Sequence, residues 1–161
     1  QLCFGRGERL EPLQNSNSPM AIVLVKDPSV SVSTPWAYGR CREINGSRYL
    51  KTESEFEDRR QKLRAEEWLN PFSPANPPPL RNDLQKVVSS ETPAVVASLK
   101  LLSALPKSLA VAMSGSGPSC FALYADLDLA KNALEKNYRS FEMAGVDAWC
   151  CSFVAQGALL D

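Results

Sequence analysis

Apolar residues along the chain follow two spacings, and the alternation between them predicts the order of elements. Met20-Ala21-Ile22-Val23-Leu24-Val25-Lys26 is a short, largely β-branched run with the pattern of a buried strand. Asp27 to Ser33 reads as extended chain or loop. A helix is predicted from Pro35 to about Ile44, because Ser33 or Thr34 can cap exposed N–H groups and proline is tolerated in the first turn. Asn45-Gly46 ends it. Leu84, Val87 and Val88 recur at helical spacing, as do Val95, Val96, Leu99 and the 102–105 run, so Leu80 to Leu105 reads as helix broken at Thr92-Pro93. Leu109 to Met113 and Ser119 to Tyr124 read as strands. Leu127 to Ala144 is helical, with Leu129, Ala133, Leu134 and Tyr138 on its apolar face, and Gly145 stops it. Ala148 to Val154 is the closing strand, where Cys150 and Cys151 are expected to be buried thiols.

Three stretches fit neither spacing well. Residues 2–13 place Gly5 and Gly7 among apolar positions, which suits a strand with a bend, and Gln14 to Pro19 reads as a loop. Glu53 to Leu69 is highly charged, with only Leu63 and Trp68 as an apolar face, and is expected to be a solvated helix or an irregular insert. Pro71 to Pro79 holds five prolines in nine residues, which excludes helix interior and central strand and leaves a stiff connector. From Met20 onward the order is strand, helices, strand, strand, helix, strand. That is an α+β, ferredoxin-like split β-α-β arrangement with an antiparallel sheet and extra helices in the first crossover.

Composition narrows the chemistry. A hydrophobic fraction of 44% over 161 residues supports a folded core. Lys plus Arg equals Asp plus Glu at 18 each, so no basic excess points to nucleic acid or an anionic membrane. No run approaches the ~18 apolar residues that span a bilayer. The chain has no histidine, which excludes a Ser-His-Asp or Cys-His mechanism within it. The five cysteines are odd in number and lack C-x-x-C spacing, as suits reduced thiols in a cytosolic protein rather than a disulfide frame or zinc site. The first residues, Gln1-Leu2-Cys3-Phe4, read as a strand in mid-course, and the chain is expected to be part of a longer protein.

The sharpest local feature is Met113-Ser114-Gly115-Ser116-Gly117-Pro118-Ser119, which joins two predicted strands. Gly115 and Gly117 permit positive φ. Exposed N–H groups in such a turn can form an anion-binding concavity, but small residues also simply make a tight hairpin. No lysine follows as in a Walker loop, and a strand stands where a dinucleotide fingerprint needs a helix.

With its flanks, Val111 to Tyr124 resembles the third conserved motif of the GHMP kinases. Three further stretches narrow the likeness to the 4-diphosphocytidyl-2-C-methyl-D-erythritol kinases, most closely in cyanobacterial or plastid form. Phe4-Gly5-Arg6-Gly7-Glu8-Arg9-Leu10-Glu11-Pro12-Leu13 resembles their mid-chain strand pair, Val30 to Tyr38 resembles their substrate-side segment, and Leu80 to Val88 resembles their Asn-Asp-Leu-Glu helix with Gln85 in the Glu position.

The resemblance implies a GHMP-kinase C-terminal domain over residues 20–161, with residues 1–19 as a strand pair of an N-terminal kinase domain and 45–79 as a charged, proline-rich insert. It implies phosphoryl transfer from ATP, with magnesium expected, to the 2-hydroxyl of a cytidine-diphosphate sugar alcohol in non-mevalonate isoprenoid synthesis, in a bacterial cytoplasm or a plastid. The family's phosphate loop and its catalytic Asp and Lys belong to the N-terminal half, the expected partner, so no catalytic residue and no metal ligand is assigned here. Neither ATP nor magnesium would be fully bound by this chain. The resemblance places Tyr38 against the cytosine ring, Thr34 and Pro35 along the pocket, and Ser114, Gly115, Ser116 and Gly117 in support of the nucleotide loop. For Thr34 a plain helix cap, and for Tyr38 an aromatic packed on the domain, are the alternatives. Neither Gln85 nor the 45–79 insert is expected to touch this site. Another GHMP small-molecule kinase, or a free-standing ferredoxin-like ligand-binding module, remains open as a reading of the whole chain.

Overall fold

Alternation of Ala21, Val23 and Val25 with Ile22 and Leu24 sets one strand at the centre of the sheet, with one side facing helices and the other facing outward. The computed structural model describes residues 2–5, 7–11, 20–65, 72–73 and 75–154. The expected loop at Gln14 to Pro19, the apolar contribution of Trp68, and Pro71 and Pro74 of the proline run lie outside the described residues. In chain order the elements are β1 (Leu2–Phe4), β2 (Arg9–Glu11), β3 (Ala21–Lys26), α1 (Thr34–Asn45), α2 (Glu53–Arg64), α3 (Asp83–Glu91), α4 (Pro93–Ser103), β4 (Ala110–Met113), β5 (Cys120–Tyr124), α5 (Leu127–Met143) and β6 (Asp147–Ser152).

Strands β4-β5-β3-β6 form one antiparallel sheet, which is the strand order of a ferredoxin-like split β-α-β fold. The register sets Val23 opposite Ala122 on one side and Cys150 on the other. Ala21, Val23, Val25, Cys120, Ala122 and Tyr124 turn toward the helices and pack with Leu84, Val88, Val95, Leu102 and Phe141 in one core. Proline opens α4 just after Thr92, so the predicted break between α3 and α4 is a real corner. Helix α1 packs on α3, where the Arg40 guanidinium holds Glu91 at 2.8 Å and Glu43 at 2.7 Å.

Two expectations change. On α5 the buried face is Ala130, Ala133 and Phe141, while Tyr138 is exposed. The two alanines let the helix axis come close to the sheet, which turns the Tyr138 direction out to solvent. On β6, Cys150 is half-buried but Cys151 is exposed. An edge strand alternates its faces, so adjacent residues cannot both enter the core.

Strands β1 and β2 pair as a small separate antiparallel sheet, with Leu2 opposite Glu11. It is tied to the charged insert: the Arg64 guanidinium holds both carboxylate oxygens of Glu11, at 2.7 and 2.9 Å, and lies 4.9 Å from the Phe4 ring centre. The charged stretch is indeed helical over α2. Its start is secured by a capping box, with the Glu55 N–H donating to Thr52 Oγ1 and the Thr52 N–H donating to the Glu55 carboxylate.

Candidate functional site

Three chain segments meet at one end of the sheet: the first turn of α1, the first turn of α3, and the β4–β5 connection. The connection is a compact turn. The Ser114 N–H donates to the Ser119 carbonyl at 2.8 Å, and the Gly117 N–H donates to the Ser114 carbonyl at 2.9 Å. Gly115 and Gly117 both have positive φ, +55° and +79°, and the Gly117–Pro118 peptide is cis. A Cβ at Gly117 would stand 2.8 Å from Met113 Sδ, so glycine is required there by conformation and by space. Among the described residues nothing accepts from the N–H groups of Gly115 and Ser116, which leaves two backbone donors at the turn's tip.

The turn is held from α3. Asn82 caps that helix, its Oδ1 accepting from the Leu84 N–H at 3.0 Å. The same side chain donates from Nδ2 to the carbonyls of Met113, at 2.8 Å, and Gly115, at 2.9 Å. One turn later Gln85 Oε1 accepts from the Met113 N–H at 2.8 Å. Two side chains of α3 therefore satisfy the backbone where β4 gives way to the glycine turn.

The turn is held from α1 as well. Ser33 is the cap of α1, its Oγ accepting from the Trp36 N–H, and Thr34 and Pro35 form the first turn. Because Ser33 does the capping, the Thr34 hydroxyl is left for another partner and lies 2.8 Å from Ser116 Oγ. One helical turn on, Tyr38 falls on the same side of α1 as Thr34. It is 63% exposed and borders a cleft of about 550 Å³ together with Ser114, Gly115, Asn82, Arg81 and Tyr49. Beneath it, Cys41 is buried and receives the Tyr49 hydroxyl at 3.6 Å. This bond, aided by partial burial, holds the Tyr49 phenol above its ordinary pKa.

The family model for the C-terminal domain of GHMP kinases matches residues 62–142. The chain belongs to the GHMP kinases. A protein named 4-diphosphocytidyl-2-C-methyl-D-erythritol kinase from Prochlorococcus marinus is 64% identical over all 161 residues, and a Synechococcus protein of the same name is 55% identical. This chain spans about half the length of these curated relatives, 50% and 52%. Among solved structures, a 4-(cytidine 5'-diphospho)-2C-methyl-D-erythritol kinase superposes with a TM-score of 0.58 at 26% identity, over 92% of this chain and 47% of that one. A homoserine kinase from Cytophaga hutchinsonii gives 0.56 at 18% identity, over 83% and 42%, and shows the shared fold.

In this GHMP kinase domain the structure brings Thr34, Tyr38 and the 114–117 turn to one place, with Pro35 exposed in the same first turn of α1. The expectation that Gln85 and the 45–79 insert stay clear of the site is corrected. Gln85 bonds the end of β4, and Tyr49, inside the insert, borders the cleft. Gln85 reaches the strand because the start of α3 points at the turn, and an amide oxygen accepts an N–H there as a carboxylate would. Asn82 joins the site through contacts that no sequence pattern announces. Its helix-capping position was visible in Asn82-Asp83-Leu84, but its hold on the turn was not.

Proposed function

We propose that this domain forms the substrate-side wall of the active-site cleft in an ATP-dependent kinase that phosphorylates the 2-hydroxyl of 4-diphosphocytidyl-2-C-methyl-D-erythritol. The observation that carries the reading is the joint opening of Tyr38 and the glycine turn onto one cleft, in a chain 64% identical to a protein of that name over about half of that protein's length. Phosphoryl transfer asks the protein mainly to position two substrates and to meet developing negative charge with donors. Tyr38 offers an exposed ring for the cytosine, and base stacking of this kind contributes about 1–3 kcal/mol. Thr34 and Pro35, in the first turn of α1 one helical turn before Tyr38, are assigned to the substrate side by the family resemblance. The free N–H groups of Gly115 and Ser116 suit a phosphate oxygen, with Ser114 and Gly117 shaping the turn that presents them.

The phosphate loop and the catalytic Asp and Lys are assigned to the N-terminal half of a longer protein, which residues 1–19 would help complete and against which residues 20–161 would close. ATP is the co-substrate, shared between the halves. Magnesium is expected to accompany the ATP phosphates, and no residue of this chain is assigned to hold it. None of the described helices is long and apolar enough to cross a membrane, and a bacterial cytoplasm or plastid stroma fits the pathway. The test is kinetic. In the kinase containing both halves, Tyr38→Ala should raise the KM for the cytidine substrate about tenfold or more while leaving the KM for ATP nearly unchanged. Equal effects on both substrates, or none, would remove the assignment. The 161-residue chain alone should not turn over ATP.

A further inference from the structure

The charged helix of the insert has two faces that differ in how their cations are used. On one face Arg60 is bound to Glu53 and Glu57, and Arg64 is bound to Glu11 and Glu57. On the other, Arg59 and Lys62 stand three residues apart, on the same side of α2, and neither has a carboxylate partner among the described residues. These two cations border a groove of about 530 Å³ whose opposite wall carries Arg81. Leu63, Pro79 and Leu80 give the groove apolar sides, and its acidic member is Asp83, whose carboxylate fixes the Arg81 guanidinium at 2.6 Å.

Cations on a helix surface usually serve only to keep it solvated. Here three border one concavity where, among the described residues, Asp83 is the one carboxylate, and like charges gathered between low-dielectric walls favour the entry of an anion. The groove is also not isolated. Arg81 and Asp83 border both it and the cleft that holds Tyr38. A ligand with a ring at Tyr38 and a charged tail therefore has a direct route from one hollow into the other.

We propose that this groove is a phosphate subsite, in which Arg59, Lys62 and Arg81 take the diphosphate of a nucleotide whose base lies against Tyr38. The position of the base rests on the function proposed above; the anion site rests on the groove. The capping box of α2 and the Arg64 clamp on Glu11 secure the helix that carries Arg59 and Lys62.

Calorimetric titration of the chain with CDP, ADP and cytidine at low salt tests it. Arg59→Gln with Lys62→Gln keeps helix propensity and removes both charges; Arg60→Gln on the same helix is the control. The double variant should weaken CDP about three- to tenfold, leave cytidine unchanged, and lessen the salt dependence of CDP binding, while the control binds CDP like the wild type. An equal loss for ADP would assign the subsite to phosphates that donor and acceptor share. If Tyr38→Ala alters neither CDP nor cytidine but the double variant still weakens CDP, the base placement falls and the subsite stands. CDP binding that is undetectable, no tighter than cytidine, or unchanged in the double variant overturns the subsite.

Discussion

The Thr34 hydroxyl lies 2.8 Å from the Ser116 hydroxyl, linking the first turn of α1 to the tip of the glycine turn across 82 residues of sequence. Ser33 already caps α1, so this contact does not serve the helix; it locates the turn. Thr34→Val keeps the shape and removes the bond. Because the pair is exposed, the expected loss of stability in urea unfolding is under about 1 kcal/mol. The larger effect should be functional: in the kinase with both halves, KM for ATP rises with Thr34→Val and returns with Thr34→Ser. A Val variant with unaltered kinetics would show that the hydroxyl pair does not set the turn's position.

Asn82 separates capping from loop support in a way substitution can resolve. Asn82→Asp retains an oxygen for the Leu84 N–H, so α3 stays capped, but it turns a carboxylate toward two carbonyl oxygens now bonded at 2.8 and 2.9 Å. The expected cost near neutral pH is about 1–3 kcal/mol. Facing carbonyls raises a carboxyl's folded pKa, so the protonated acid is favoured in the folded state and stability should recover as pH falls through that pKa. Asn82→Ala loses cap and support together and should show no such recovery. Urea midpoints for the three proteins, taken from neutral to acid pH, distinguish the outcomes.

The two glycines of the turn should not be equivalent. At Gly115 the φ of +55° is in the left-handed region, but a Cβ would meet open space, so Gly115→Ala should cost about 1 kcal/mol. At Gly117 the φ of +79° is joined by a contact 2.8 Å from Met113 Sδ, with Val88 behind it at 3.7 Å. Gly117→Ala should therefore cost clearly more, about 2–4 kcal/mol, by combining strain with overpacking in the core. Thermal melting of the two variants checks the order, and the reverse order would refute the geometry of the turn.

The strand and helix order was legible because it depends on spacing. Val23 and Val25 alternate with Ile22 and Leu24, and Leu84, Val87 and Val88 repeat at a helical period, whatever the rest of the chain does. The break at Thr92-Pro93 was legible because proline acts locally. Tyr138 and Cys151 were misplaced because the rotation of α5 and the edge position of β6 are set by packing, which a local pattern underdetermines. Within the site, the glycine turn announced itself by composition, and Tyr38 came from resemblance. Asn82 and Gln85 did not, because their bonds cross 31, 33 and 28 residues to backbone atoms, and a side chain's distant backbone partner leaves no spacing in the sequence. Nor did the paired and unpaired faces of α2 show, since they depend on Glu11 of β2 as much as on the helix itself.

Alkaline stability should report on two buried groups in β5. Cys120 and Tyr124 both face the helices and are fully buried. Burial pushes the Cys120 thiol up to about 11 and the Tyr124 phenol up to about 12, with Cys150 adding to the latter. In the unfolded chain each group ionises nearer its ordinary value, so above that value the unfolded state holds fewer protons than the folded one. Stability is then fully present below about pH 9 and falls as pH rises toward 12, by on the order of 2–3 kcal/mol for each group. The Tyr124 hydroxyl also finds no hydrogen-bond partner among the described residues. Tyr124→Phe thus removes both an unsatisfied buried group and one source of alkaline loss. It should leave stability at neutral pH unchanged or raise it by up to about 1 kcal/mol, and flatten its decline above about pH 10. A destabilised Phe variant at neutral pH would mean that the hydroxyl is bonded after all, and an unaltered alkaline decline would mean that the phenol does not titrate with unfolding.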